Sequence, residues 1–181
     1  MSKLHQITAT ARTTEVKNHS KATFLLYFYL TRGMSFLLRR ARPVGEVVKK
    51  VFMHLPHPEF VIKNSIGIWS VVPFNDTMTI SAPYFESAFA EWPSRSASRR
   101  TFIDIGANIG RYTLLAANRH RYARILSIEA NPFTFSILKK NISLNAIEDK
   151  VTAENVAAGN REGNVSIQFD THHLGGGNVL R

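Results

Sequence analysis

The chain has 181 residues, of which 44% are apolar, so it is long enough to bury the core of one domain. It contains no cysteine, which excludes disulfides, thiolate nucleophiles and cysteine-ligated zinc or iron–sulfur sites. The formal net charge is +10, but residues 1–50 hold ten Lys and Arg against two acids, while residues 51–181 hold thirteen against eleven. The basic charge therefore belongs to the first segment, and nucleic acid is not an expected partner of the rest.

The first 56 residues divide into a polar segment and an apolar one. Residues 1–23 are rich in Ser, Thr, Lys and Arg and contain a single acid, Glu15. This composition predicts a mobile basic tail, with a transit peptide as the alternative. Residues 24–56 predict a helical leader, because long apolar runs alternate there with basic residues.

The apolar runs of this leader are too short and too interrupted to cross a bilayer, which takes about 20 apolar residues. Two interpretations stay open: a helix packed on the domain, or an interfacial helix over residues 24–42 whose arginines contact anionic lipid. A secretory signal is poorly matched, since no small-x-small cleavage site follows Leu30. We therefore expect a cytoplasmic protein, with peripheral membrane contact as an alternative.

Short β-rich pieces open the remaining segment, residues 57–181. They cover residues 60–63, 68–72 and 77–80 and are separated by turn compositions, which predicts an antiparallel β preface. Residues 84–92 show helical spacing, and a polar connector over residues 93–100 follows. The preface therefore leads into a second, differently patterned region.

That second region alternates strands and helices. Apolar strands are predicted over residues 101–105, 124–128 and 151–156, with a helix over residues 112–120 between the first two. The second helix begins at Pro132, with Asn131 as its cap. A β-α-β-α-β order with short loops predicts an α/β fold with a parallel sheet, whose ligands bind outside the carboxyl ends of the strands.

Two acids stand at two of these strand ends. Asp104 lies in a glycine turn that is bracketed by Gly106 and Gly110, and Glu129 directly follows the second strand. An acid at the Glu129 position can accept hydrogen bonds from both hydroxyls of a ribose. The turn lacks the G-x-G-x-x-G pattern that cradles a pyrophosphate, and its carboxylate would repel one. A sulfonium or an amino group would be attracted, so the pattern favours S-adenosylmethionine.

Four motifs with appropriate spacing carry a resemblance to a known family. They lie at residues 102–110, 128–132, 140–145 and 157–163. In this order they resemble the FkbM family of class I S-adenosylmethionine-dependent methyltransferases, over roughly residues 60–181. The resemblance implies a Rossmann-like methyltransferase sheet and methyl transfer to an oxygen of a small molecule or a glycan. The implied cofactor contacts are Asp104, Gly106, Ala107, Asn108, Gly110, Glu129 and, near the end of the third strand, Asn155.

The family pattern continues beyond the segments that resemble residues 165–169 and 174–178, to an acidic strand motif that has no counterpart here. We therefore expect an incomplete sheet and a truncated methyltransferase, in which residues 57–181 form the N-terminal cofactor-binding part. No general base is identified, so the catalytic residues are unknown. The alternative function is a catalytically inactive remnant that binds a membrane or a protein through its leader. A nucleic-acid methyltransferase is a third, less favoured possibility.

Other polar residues have simpler interpretations. Asn131 is interpreted as a helix cap and not as an amine-binding residue, because it follows the second strand. His54, His57 and the pair His172–His173 are interpreted as loop histidines, so no metal site is predicted. Glu86 is interpreted as a solvated acid on the helix before the site.

Overall fold

The structure is a computed structural model that describes residues 3–53, 57–86, 101–170 and 173–180. Its helices are α1 (Lys3–Thr13), α2 (Lys21–Arg40), α3 (Arg42–Met53), α4 (Thr77–Ile80), α5 (Arg111–Leu114) and α6 (Pro132–Leu144). Its strands are β1 (Glu15–Val16), β2 (Phe60–Lys63), β3 (Ile68–Val71), β4 (Thr101–Ile105), β5 (Arg124–Ile128), β6 (Val151–Glu154), β7 (Ser166–Asp170) and β8 (His173–Leu180). They form an antiparallel sheet β1–β2–β3, a parallel sheet β4–β5–β6 and a hairpin β7–β8. The predicted α/β class with an antiparallel preface is thus confirmed.

The parallel sheet aligns the carboxyl ends of its strands. Ile105 at the end of β4 lies opposite Ile128 of β5, which in turn lies opposite Glu154 of β6. The first two strands have the predicted bounds, and the third ends two residues before the predicted position. Within the described part of the chain β4 pairs with β5 alone, and Ile103 and Ile105 are more than half exposed. The sheet therefore has one open apolar edge.

Helix α6 begins at Pro132, as predicted, and contacts β3. Asn131 is confirmed as its cap, because its Oδ1 accepts hydrogen bonds from the backbone N–H groups of Phe133 and Thr134. Leu138 and Ile142 are buried in the core.

The helix predicted over residues 112–120 is present but changes its winding. Helix α5 continues as a π-helical turn over Leu115–Arg119, where the N–H of His120 bonds to the carbonyl of Leu115. Apolar spacing alone does not separate an i+4 from an i+5 winding over so few residues.

The segment predicted as a mobile tail differs in the structure. Residues 3–13 form α1, and β1 pairs with β2, placing Val16 opposite Ile62. The Asn18 side chain donates to the carbonyl of Glu59 and accepts from the N–H of Val61, each at 2.8 Å. The prediction missed this order because the partners lie more than 40 residues away and leave no local signal.

The apolar leader forms two helices that pack against each other, α2 and α3. Ser20 caps α2 by accepting from the N–H of Thr23. The inner face of α2 joins the core, where Phe24 meets Phe60 edge-to-face at a centroid distance of 5.5 Å. None of the helices in the described ranges combines the length and apolarity needed to cross a bilayer.

The third strand predicted for the preface is wrong, because residues 77–80 form α4. The alternation of Thr and apolar residues favoured a strand, but side-chain bonds wind the segment instead. Asn75 Oδ1 accepts from the N–H of Thr77, and Thr77 Oγ1 donates to the carbonyl of Val72. Of the helix predicted over residues 84–92, the structure describes residues 84–86 as turns, and the rest lies outside the described residues with the connector 93–100.

Two asparagines, Asn141 within α6 and Asn145 at its C-cap, join the antiparallel sheet to the parallel one. Asn141 is fully buried, and it accepts from the N–H of Ser70 at 2.7 Å and donates to the carbonyl of Ile109 at 2.8 Å. Asn145 pairs with both backbone groups of Ile68. Because these bonds replace water inside the core, the two sheets form one packed unit.

Replacing Asn141 by Ala should destabilise the fold. The substitution would leave the Ser70 N–H and the Ile109 carbonyl without their partner, and we expect the free energy of unfolding to fall by about 2–4 kcal/mol. Urea denaturation measures the change, with Asn160→Ala, at an exposed loop position, as the matched control. A loss in Asn141→Ala no larger than in the control would contradict this role.

Candidate cofactor-binding site

The glycine turn after β4 has an unusual backbone. Gly106, Asn108 and Gly110 all have positive φ angles, of 78°, 53° and 94°. A Cβ added at Gly106 would meet no atom within 4 Å, whereas one at Gly110 would lie 2.7 Å from Leu138 Cδ1. Gly110 is therefore needed for packing against α6, and Gly106 leaves open space beside the backbone, as a ligand requires.

Hydrogen bonds tie this turn to the end of β5. The N–H groups of Gly106 and Ala107 both donate to the carbonyl of Ile128 at 2.9 Å. The carboxylate of Glu129 accepts from the N–H of Asn108 through Oε2 and from the N–H of Asn131 through Oε1, each at 2.8 Å. The Glu129 side chain thus joins the β4 turn to the β5 turn.

The predicted role of Glu129 fits this arrangement. A carboxylate offers about four acceptor positions, and the two backbone bonds occupy only part of them. Glu129 is partly exposed, so free lone pairs can accept from the hydroxyls of a ribose. That contact stays a prediction.

Asp104 faces the interior. It is 6% exposed and accepts from Thr113 Oγ1 at 2.7 Å, with a further bond from the Thr113 backbone. Burial raises the pKa of Asp104, the bonds from Thr113 lower it, and the nearby charge of Glu129 raises it. The carboxylate is therefore held against α5, and its predicted contact with a sulfonium or an amino group stays a prediction.

The side-chain amides of two predicted contact residues, Asn108 and Asn155, donate hydrogen bonds to backbone carbonyls. Asn155 is exposed and donates to the carbonyls of Glu129 and Ala130, which supports the β5 turn. Asn108 donates to the carbonyl of Leu174 at 3.3 Å, which brings β8 against the glycine turn. Both therefore position the site, and the predicted cofactor contact of Asn155 is untested.

A cavity of about 380 Å³ lies beside the glycine turn, within the size range of small-molecule sites. Its lining residues are Asp76, Thr79, Ile80, Phe85, Glu86, Gly106, Ala107, Asn108, Arg111 and Tyr112. Three of the predicted contacts, residues 106–108, belong to this lining. The other four, Asp104, Gly110, Glu129 and Asn155, stand outside it.

Arg111 is a site residue that the sequence reasoning missed. It is 2% exposed, and its Nη1 donates to the carbonyls of Ile80 and Ala82, while Nη2 donates to that of Phe85. Burial lowers the pKa of Arg111. Its buried Nε has no hydrogen-bond partner. The signal in the sequence was its position directly after Gly110, where the backbone turns into α5.

Glu86 and Tyr112 form a second polar pair on the cavity wall. Tyr112 donates its hydroxyl to Glu86 Oε2 at 2.5 Å, and burial, reinforced by this bond and by the charge of Glu86, raises the pKa of Tyr112 to about 12. Glu86 is exposed, as predicted, but it lies in a turn with a φ of 45° and not on a helix. Asp76 and Glu86 give the wall two carboxylates in addition to the cationic Arg111, a combination that suits the ammonium and carboxylate of an amino acid.

Metal-ligating side chains do not cluster in the part of the chain that the structure describes: no group of three or more His, Asp or Glu is suitably arranged. His54 and His172 lie outside the described residues.

Replacing Asp104 by Asn tests the cost of its buried charge. Because the folded pKa is raised above 3.8, stability is lost as the pH rises from below 3.8 through the raised value. Asn cannot ionise, and its side-chain oxygen can still accept from Thr113. We therefore subtract the free energy of unfolding of the wild type from that of the variant and expect this difference to grow from acid to neutral pH. The growth should be about 1.4 kcal/mol for each pKa unit by which folding raises the pKa of Asp104.

Urea denaturation at several pH values measures this difference, with the exposed Asp149→Asn as the control. A difference that shrinks towards neutral pH would show that the fold stabilises the ionised form of Asp104.

Comparisons with known proteins agree with part of this interpretation. Residues 91–173, less than half of the chain, match the family model of the TRM5/TYW2 methyltransferase domain. No relative with a curated description matches. The FkbM family is therefore not confirmed, whereas its broader class, the S-adenosylmethionine-dependent methyltransferases, is supported.

Two solved structures are similar to the chain. One is a candidate transferase from Pyrococcus horikoshii, with 27% identity over 56% of this chain and 36% of that one, at a TM-score of 0.41. The other is TYW2 of P. horikoshii in complex with MeSAdo, with 21% identity over 67% of this chain and 49% of that one, at a TM-score of 0.46. The chain thus spans less than half of the length of either. Residues 91–173 are therefore similar to a methyltransferase domain of the TRM5/TYW2 type.

Proposed function

We propose that the chain binds S-adenosylmethionine at the carboxyl ends of β4 and β5 and takes part in methyl transfer. The observation that carries the proposal is the Glu129 carboxylate, fixed by two backbone N–H groups next to the open backbone of Gly106. The match of residues 91–173 to a methyltransferase domain supports the same conclusion.

The residues present fit the chemical groups of this cofactor. Glu129 would accept from the ribose hydroxyls, and the turn over residues 106–108 would approach the ligand closely because Gly106 has no side chain. On the cavity wall, the positive charge of Arg111 would attract a carboxylate, and Glu86 would meet an ammonium group. When bound, S-adenosylmethionine supplies an electrophilic methyl group on a sulfonium.

The contribution of these residues is positioning. Holding the donor in one orientation removes an entropic cost from the transfer step, and the bonds of Glu129 and Arg111 keep the two sides of the site rigid. Tyr112 is a poor base near neutral pH, because its pKa is raised to about 12. Tyr112 is therefore not proposed as the general base.

The acceptor proposed here is an oxygen of a small molecule or a glycan, as the sequence motifs predicted. The family match does not support this acceptor over others, so it stays a prediction. A catalytically inactive remnant that binds a membrane or a protein through its leader is the second candidate. A nucleic-acid acceptor is the third.

Replacing Glu129 by Ala should weaken cofactor binding. Hydrogen bonds to a charged group contribute about 1.5–3 kcal/mol, so we expect the Kd for S-adenosylmethionine to rise by about 10- to 150-fold. Isothermal titration calorimetry measures the Kd, and thermal denaturation checks that the variant is folded. Glu148→Ala, at an exposed position after α6, is the matched control and should bind as the wild type does. An unchanged Kd in Glu129→Ala would show that the ribose site is elsewhere.

Methyl transfer from labelled S-adenosylmethionine to separate acceptor pools identifies the acceptor class. We expect label in a pool of small molecules and glycans, and none in DNA or RNA. Label in nucleic acid would replace the proposed acceptor. If the chain binds the cofactor but labels no pool, the inactive remnant becomes the better account.

A further inference from the structure

The helical hairpin of α2 and α3 has an apolar face that points away from the core, called here the outer face. It comprises Leu26, Tyr29, Leu30, Phe36, Leu37, Val44, Val47 and Val51, each at least 36% exposed. Most surface helices place polar residues on this side. An apolar patch of this extent is typical of a docking surface.

The outer face is continuous along both helices. On α2 its residues recur at spacings of three and four, from Leu26 through Leu30 to Leu37, and on α3 they recur from Val44 through Val47 to Val51. The opposite side of α2 is already used, because Phe24 and Phe28 are buried in the core. The fold therefore does not need the outer face for its own packing.

A groove of about 450 Å³ runs along this face. It is lined by Leu25, Leu26, Tyr29, Leu30, Gly33, Met34, Leu37, Val48 and Phe74. Gly33 keeps it open, since a Cβ at this position would meet no atom within 4 Å. Among the residues that the structure describes, those that line the groove carry no charge, so this part of it suits hydrocarbon and not a polar ligand.

The charge of the hairpin favours one class of apolar partner over another. Residues 21–53 contain seven Lys and Arg and one acid, Glu46, which gives a net charge of +6 (7 − 1). Exposed Arg40 at the end of α2 is one of these cations. Two copies that met through this face would bring like charges together. An anionic lipid surface offers both a hydrocarbon phase and the opposite charge.

We infer that the outer face of α2 and α3 docks on an anionic lipid bilayer, with both helices lying in the plane of the interface. Its apolar side chains enter the acyl boundary, while Arg40, which is exposed at the end of α2, contacts the headgroups. Docking in the plane agrees with the absence of a bilayer-spanning helix among the described residues. Methyl transfer and lipid docking use different elements, so failure of one leaves the other standing.

Vesicle flotation of the full chain tests this docking. We expect the protein to float with vesicles of phosphatidylcholine containing about 30% phosphatidylserine, and at least about tenfold less with phosphatidylcholine alone. High salt should release it from the anionic vesicles, because salt screens charges at the surface. Equal binding to both vesicles, or binding to neither, would overturn the inference.

Variants separate the outer face from nonspecific adhesion. The triple change Val44→Ser, Val47→Ser and Val51→Ser should reduce flotation at least about tenfold. These side chains are exposed, so the midpoint of thermal denaturation should not change. Val165→Ser, at a half-exposed valine before β7, is the matched control and should float as the wild type does.

The charge and the oligomeric state complete the test. Arg40→Gln should weaken binding to anionic vesicles severalfold and leave the weak binding to neutral vesicles unchanged. Light scattering gives the mass in solution. A dimer that the triple valine variant abolishes would mean that a second copy covers the outer face, and would overturn the inference.

Discussion

The Glu129 carboxylate is the interaction on which the candidate site depends. Its two oxygens accept from the N–H groups of Asn108 and Asn131, which belong to the turns after β4 and β5. Asn108 has a positive φ angle, a conformation that a non-glycine residue holds only when its surroundings stabilise it. One charged side chain thereby sets the backbone of the glycine turn and the start of α6, and stays partly exposed to a ligand.

Buried polar side chains extend this order to the antiparallel preface. Asn141 joins β3 to the carbonyl of Ile109 in the glycine turn, and Arg111 binds the carbonyls that follow α4. Through these contacts the preface supplies one wall of the cavity, including Asp76 and Glu86. The candidate cofactor site therefore draws on both sheets.

Some elements of the fold could be predicted because neighbouring residues in the sequence determine them. The strands at 101–105 and 124–128 are apolar runs ended by polar turns, and Asn131 before Pro132 is a strong helix start, so each was placed correctly. One feature that was missed, the order at Asn18, depends on a partner more than 40 residues away. Another depends on side-chain bonds and not on apolar spacing. The helix at Thr77–Ile80 is set by bonds to Val72 and Asn75, and no spacing rule reports them.

The same distinction applies to the site. The positions of Gly106 and Glu129 followed from the strand ends, whereas the burial of Asp104 against Thr113 and the network of Arg111 required the packed structure. The glycine turn and the acid after β5 indicated the class of the cofactor, but they did not identify the family. The family model that matches is the TRM5/TYW2 domain and not FkbM.

The most direct test of the account is a backbone amide NMR titration of the chain with S-adenosylmethionine. If Glu129 and the glycine turn form the cofactor site, the amide signals of Gly106, Asn108 and Asn131 should shift in a saturable way, and those of the hairpin α2–α3 should not. Saturable shifts confined to other parts of the chain, or no shifts at millimolar cofactor, would contradict it.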